Sequence, residues 1–310
     1  MSAKNIYIFT DIDLDGSVSL LALHWGLNAN IGDLKYKATT VSNLRREILR
    51  WLEEDNFSNY DKVYFLDLDT SNCADLIDKA NVEIIDHHLT HVNAKDVYKN
   101  ATVNVVEETS CAKKLYKYLK TSYPGFEKKL STEQKLLIAL ADDYDSYQFK
   151  INESYNLNCL LTNTQKTLDK TRTDKFVERF YNGFSGFNKQ ELNIIKEYIN
   201  GRDNTIKNLQ VFSGNVNISK QNVKVTGTTG TKYVNDICDH LIKEYDSDIV
   251  FFVNTNNSHV SFRKKKECSI DMSKLAIKLC EGGGHEYAAG GKITDTFMEF
   301  VKQLTPVENQ

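Results

Sequence analysis

Asp11-Ile-Asp13-Leu-Asp15-Gly16-Ser17 sets three carboxylates at every other position, directly after the apolar run Ile6 to Thr10. Side chains two apart share a face of an extended chain, so the three charges point the same way. Like charges in that arrangement repel, and they call for a divalent cation or for open water around them. Gly16 lets the chain turn tightly into the next element. Comparable clusters recur: Asp67-Leu-Asp69 after Val63 to Leu66, Asp86-His87-His88 after Val82 to Ile85, and Asp142-Asp143-Tyr144-Asp145 after a helical pattern over Thr132 to Ala141. Carboxylates with one or two imidazoles and no thiolate suit hard or borderline ions, Mn²⁺ or Mg²⁺ rather than structural Zn²⁺. Five or six such ligands are more than one ion requires. The pattern therefore predicts two ions, which at about 3.5–4 Å apart can clamp the attacking and leaving oxygens of an in-line displacement at phosphorus.

Elements must bring these clusters together. Strand-like runs alternate with helical patterns over Ser17 to Leu27, Ser42 to Glu54 (Ser42 as N-cap), Ala74 to Ala80, Cys111 to Leu119 and Thr132 to Ala141, which predicts an α/β fold with a parallel sheet. Open α/β sheets bind ligands at the C-terminal ends of their strands, where three of the clusters fall. Thr162 to Val211 reads as polar helices without a strong strand. Val216 to Ser219, Val223 to Thr226, Ile249 to Asn254 and His259 to Arg263 read as strands, with helices over Val234 to Tyr245 and Met272 to Leu279. The expected division is an N-terminal parallel-sheet catalytic domain (1–160), a helical connector (161–212) and a smaller C-terminal α/β substrate-binding domain (213–310).

In order and spacing, Asp-x-Asp-x-Asp-Gly, a strand-ending Asp, Asp-His-His and an Asp followed four residues later by an aromatic (Asp143 to Tyr147) resemble the motifs of the DHH phosphoesterase family. Val260-Ser-Phe-Arg263 and Gly282-Gly-Gly-His285-Glu-Tyr-Ala288-Ala-Gly-Gly291 resemble the DHH-associated C-terminal domain of RecJ-like exonucleases and nano-RNases. The resemblance implies that Asp13, Asp15, Asp67, His87 and Asp143 hold two Mn²⁺, with Asp67 and Asp143 bridging, Mg²⁺ being the other possible ion. It implies that His88 faces the substrate phosphate while Asp86 orients the imidazoles. Arg263, the backbone amides of Gly282, Gly283 and Gly284, and His285 would take a terminal phosphate or base. Phe9 stands where many members that act on very short substrates carry a His, which makes Asp11 the candidate to replace that ligand. Asp69 competes with Asp67, and Asp142 with Asp143; the strand end favours Asp67 and the spacing to Tyr147 favours Asp143.

The 310 residues are 41% hydrophobic with a formal charge of -3, a balance that suits a globular enzyme and excludes a broad basic platform for duplex nucleic acid. Apolar runs end well short of the roughly 20 residues of a membrane span, and the first residues lack an apolar h-region, so a cytoplasmic protein is expected. Six cysteines without a C-x-x-C pair predict reduced, buried thiols. His24, His91, His240 and His259 are expected to be surface or internally satisfied side chains. Tyr144 and Tyr147 are of the type that stacks on bases. The expected activity is a Mn²⁺-dependent phosphodiesterase acting on short or single-stranded DNA or RNA, from the 5′ end. Its alternatives are hydrolysis of a small nucleotide (a cyclic dinucleotide or a 3′,5′-bisphosphate) and a weakly active nucleotide-binding module.

Overall fold

The computed structural model describes residues 5–307 apart from Ile31, Glu107 and His285, and of Leu89 and Thr90 it describes the backbone alone. A parallel sheet is built from β1 (Ile6–Thr10), β2 (Lys35–Ala38), β3 (Lys62–Leu66), β4 (Val82–Asp86) and β5 (Thr102–Val105), in the order β2-β1-β3-β4-β5. The central strands are nearly continuous apolar runs because both faces are covered. At the edges, Lys35, Lys37 and Thr102 are exposed. That weak apolar signal is why β2 and β5 are absent from the sequence-based expectation.

The helices of this part are α1 (Leu14–Leu27), α2 (Val41–Glu54), α3 (Ala74–Ile77), α4 (Leu89–Ala94), α5 (Cys111–Ser122), α6 (Phe126–Lys129), α7 (Thr132–Asp145), α8 (Asn152–Asn163), α9 (Arg172–Phe180) and α10 (Lys189–Lys207). On one sheet face α2 closes a core of Phe9, Leu44, Ile48, Phe65 and Ile84. On the other, α1 is buried from Leu14 to Gly26 because α5, α7 and α9 pack around it. It starts three residues before the expected Ser17, since the Asp13 carboxylate caps it by accepting from the Gly16 amide. Ser42 lies inside α2, whose N-cap is Thr40. α7 opens on a capping box between Ser131 and Gln134 and runs one turn past Ala141, so the Asp142 to Asp145 cluster sits within the helix rather than after it.

The chain divides into two compact units, Met1–Lys196 and Glu197–Gln310, with the boundary inside α10. In the second, β6 (Val211–Ile218), β7 (Gln221–Gly230), β8 (Ile249–Asn254), β9 (His259–Lys264), β10 (Gly283–Gly284), β11 (Ala288–Lys292) and β12 (Thr305–Pro306) form a mixed sheet in the order β10-β11-β9-β8-β7-β6-β12. α11 (Val234–Glu244) packs Ile237 and Leu241 on Val250 and Phe252 of one face. α12 (Met272–Cys280) and α13 (Asp295–Val301) bury Phe251 and Phe262 on the other. All six cysteines are free and buried. Among the described residues no helix is long and apolar enough to cross a membrane.

Candidate metal centre

Strand order 2-1-3 places the topological switch between β1 and β3, where chain connections leave in opposite directions and open a crevice. Asp15 follows β1 and Asp67 follows β3, so the fold delivers both carboxylates to that crevice. Gly16 makes this possible at β1, since a Cβ there would lie 2.5 Å from the Asp11 carbonyl oxygen. Asp67 has a φ of +57°, an unusual conformation for a non-glycine residue that turns its side chain at the strand end.

His87 is the hub. Its Nδ1 lies 3.1 Å from the Glu108 carbonyl, which only accepts, so Nδ1 carries the proton and the neutral ring keeps a lone pair on Nε2. Burial and the neighbouring His88 push its pKa down, which favours that neutral form. Around Nε2 stand Asp67 Oδ1 at 3.4 Å, Asp145 Oδ2 at 3.5 Å and Asp15 Oδ2 at 3.6 Å. Asp67 Oδ1 is buried with no hydrogen-bond partner. Lone pairs facing one another without a proton between them are the signature of a cation site, and the oxygen-rich donor set with one imidazole fits Mn²⁺ or Mg²⁺. The electrostatics agree. Burial, then Asp13, raises Asp15 to about 7, against the pull of the Cys111 and Ala112 amides at the start of α5. Burial with the like charge of Asp15 and Asp13 lifts Asp67 and Asp145 well above the carboxylate range. A dication would remove that conflict.

Asp86 does something else. Although within ligand range of the cluster, its oxygens are taken: Oδ1 accepts from His88 Nδ1 at 2.7 Å and from the His87 amide at 2.8 Å, and Oδ2 from His91 Nδ1 at 2.7 Å. Burial would raise its pKa, but these imidazoles hold it far below the usual range. Burial likewise opposes a charge on His88, and the Asp86 bond outweighs it, raising His88 to about 9. His91 is fully buried and satisfied, with Nε2 within 3.1 Å of Tyr98 Oη and 3.3 Å of Thr70 Oγ1.

Asp143, which the sequence sets among the ligands, is engaged with other partners. The Asp143 carboxylate accepts from the amides of Lys150 at 2.9 Å and Ile151 at 3.1 Å and from Ser154 Oγ at 2.6 Å. It shapes a loop, and the position beside His87 belongs to Asp145. Asp142 accepts from Thr109 and Ser110 hydroxyls and from Lys113. Asp69 caps its own turn through Ser71. Asp13 accepts from the Gly16 amide at 2.9 Å at the start of α1, and Asp11 accepts from the Ile12 amide at 2.5 Å. Burial and Asp13 raise Asp11 to about 7. Phe9 is wholly buried and stacks on Phe65, ring centroids 4.9 Å apart. Asp145 has a sequence signal of its own, because Phe149 follows it at the same four-residue distance as Tyr147 follows Asp143.

In the second unit Arg263 donates from Nη1 to the Phe262 carbonyl and from Nη2 to Asn235 Oδ1, both at 2.8 Å. Gly282 and Gly284 are glycines for internal reasons: a Cβ would lie 1.9 Å from the Gly290 carbonyl oxygen in the first case and 2.6 Å from Ala289 Cα in the second. Gly283 faces open space. His285 lies outside the described residues.

A model of the DHH family N-terminal domain matches residues 5–142, and one of the DHHA1 domain matches residues 219–307. The chain is a DHH-family protein. Members of the DHH family are metal-dependent phosphoesterases, which makes this chain an enzyme of that class. A 3′,5′-cyclic-nucleotide phosphodiesterase of Helicobacter pylori is 23% identical over an alignment spanning 95% of this chain and 94% of the relative. Among solved structures, the pGpG-specific phosphodiesterase PggH of Vibrio cholerae superposes with a TM-score of 0.59 at 14% identity, covering 97% of each chain. The exonuclease RecJ bound to manganese does so at 0.54 and 13%, covering 97% of this DHH chain and 88% of RecJ. At these identities the structural likeness is one of fold.

Proposed function

We propose that the chain is a two-metal phosphodiesterase of short or single-stranded nucleic acid, releasing nucleotides from the 5′ end with Mn²⁺ as its ion. The observation that carries this reading is the lone-pair cage of His87, Asp15, Asp67 and Asp145. In it Asp145 takes the ligand position that sequence spacing assigns to Asp143, while Asp13 and Asp11 add negative charge beside Asp15. Bound there, divalent ions would supply Lewis acidity to the phosphoryl group and acidify water. The protein's own contribution is orientation and charge. Asp86 clamps His88 at Nδ1, and we assign His88 to a non-bridging phosphate oxygen, where a fixed donor stabilises developing charge. Arg263 and the open Gly283 would grip a terminal phosphate. A formal charge of -3 suits short substrates.

The test is Mn²⁺-dependent hydrolysis over 5′-labelled RNA and single-stranded DNA of graded length, a cyclic dinucleotide, a 3′,5′-cyclic mononucleotide and a bisphosphorylated adenosine. Mononucleotide release from the strands is expected. The His87→Ala and Asp145→Asn variants should lose at least roughly 100-fold, on the scale of removing a catalytic charge-stabilising group, while Asp143→Asn should keep Mn²⁺ binding. Turnover of small nucleotides alone would favour the second reading, which the likeness to the cyclic-nucleotide phosphodiesterase supports. An active Asp145→Asn enzyme would refute the ligand set.

A further inference from the structure

Directly after Asp145 the backbone is strained at two aromatic residues. Tyr147 and Phe149 have φ of +57° and +48°, a left-handed conformation that is strained for a bulky side chain. Asp143 holds them there: besides its carboxylate bonds to Lys150, Ile151 and Ser154, its carbonyl accepts from the Gln148 amide at 3.0 Å. The strained loop does not bury its rings. Tyr147 is 47% and Phe149 39% exposed. Phe149 is nevertheless braced on edge-to-face neighbours, with centroids 4.9 Å from Tyr147, 5.7 Å from Tyr144 and 6.4 Å from Tyr155. Both rings thus stand partly in water, two and four residues along the chain from Asp145, a carboxylate at the metal centre.

We propose that Tyr147 and Phe149 form a stacking platform for a nucleobase of the substrate, and that Asp143 is its positioning residue. This rests on the centre being a phosphodiesterase site for nucleotides, and goes beyond it by locating base recognition on the catalytic unit itself. Three observations choose a base over an apolar partner. The patch is only two rings wide, it follows the metal-centre carboxylate Asp145 in the chain, and it ends in Lys150 and Gln148, polar groups bonded to each other at 2.6 Å. Stacking of this kind tolerates any sequence, because every base has a π-face, and is worth about 1–3 kcal/mol per base.

The experiment uses the full chain in Mg²⁺ with an uncleavable phosphonate-linked, 5′-phosphorylated dinucleotide carrying 2-aminopurine, whose fluorescence is quenched on stacking. Wild type should quench it. Tyr147→Ala and Phe149→Ala should weaken binding by roughly 5- to 100-fold, Tyr147→Phe should retain it, and an abasic phosphonate competitor should bind all four proteins alike. Absence of quenching by the wild type, unchanged affinity in both alanine variants, or an equal loss for the abasic competitor would overturn the platform. Hydrolysis is scored separately. Cleavage of a natural dinucleotide with no quenching sinks the platform alone, and quenching without metal-dependent cleavage upholds the platform while sinking the proposed activity.

Discussion

His24 lies in α1 at 1% exposure with neither ring nitrogen hydrogen-bonded, its ring edge-on to Tyr181. Burial, opposed only by the distant charge of Asp33, lowers its pKa from 6.5 to about 4. A histidine whose folded pKa is depressed is neutral in the native state while the unfolded chain takes up a proton below 6.5. The unfolded state thus binds more protons between pH 6.5 and 4, and stability must fall as the pH falls through that window, by on the order of 3 kcal/mol at its lower end. Urea melts of wild type and His24→Leu at pH 7 and pH 4.5 check this through the difference between the two proteins, which cancels the other titrating groups. The variant should lose distinctly less stability on acidification, and parallel losses would show that His24 does not carry the effect. The choice between Asp143 and Asp145 shows where residue-level reading fails. In an α-helix, residues three apart share a face and residues two apart lie nearly opposite. Asp142 and Asp145 therefore look one way and Asp143 another. With the helix expected to end at Ala141, that geometry has no bearing on the choice.

At the scale of elements, sequence reading succeeds where burial is complete. β1, β3 and β4 carry nearly continuous apolar runs that end on Asp or just before one, so both the sheet and the position of its ligand crevice follow from pattern and topology. The edge strands β2 and β5 give no such signal, and β10 and β11 are nearly hidden by glycine. Those glycines look equivalent in the sequence and differ in the fold. Gly282 packs its backbone against Gly290, and any Cβ there forces the two segments apart, whereas a Cβ on Gly283 would meet nothing within 4 Å. Gly282→Ala should lower the melting temperature by several degrees or prevent folding, as over-packing by even one carbon costs roughly 1–3 kcal/mol. Gly283→Ala should melt within about a degree or two of wild type and, if its amide approaches a phosphate, raise KM with kcat little changed. Thermal melts and steady-state kinetics on the two variants decide it; equal destabilisation would remove the case for Gly283 as a ligand-facing position.

The whole molecule is two units with separate cores, Phe9, Val63, Phe65 and Ile84 in the first and Val225, Phe251, Phe262 and Phe297 in the second. The proposed ions belong entirely to the first. A ligand that binds only the folded form stabilises it by RT ln(1 + [L]/Kd), about 2.7 kcal/mol at a hundredfold excess over Kd, but that energy reaches only the cooperative unit that contains the site. Metal-free, the crevice holds carboxylates whose pKa values are raised by burial and then by one another's charge, so the segments carrying them should open more readily than the core strands. Hydrogen exchange on the full chain, with and without saturating Mn²⁺, therefore has an uneven expected outcome. Protection should rise over residues 11–17, 67–71, 86–92 and 142–151, the last because Asp145 stands at the centre and leads directly into the loop that Asp143 holds, and should stay unchanged over 213–306. Chelation should reverse it. Protection spread evenly over both units would mean that metal acts on the chain as a single cooperative body, and protection missing from 142–151 would detach Asp145 from the centre.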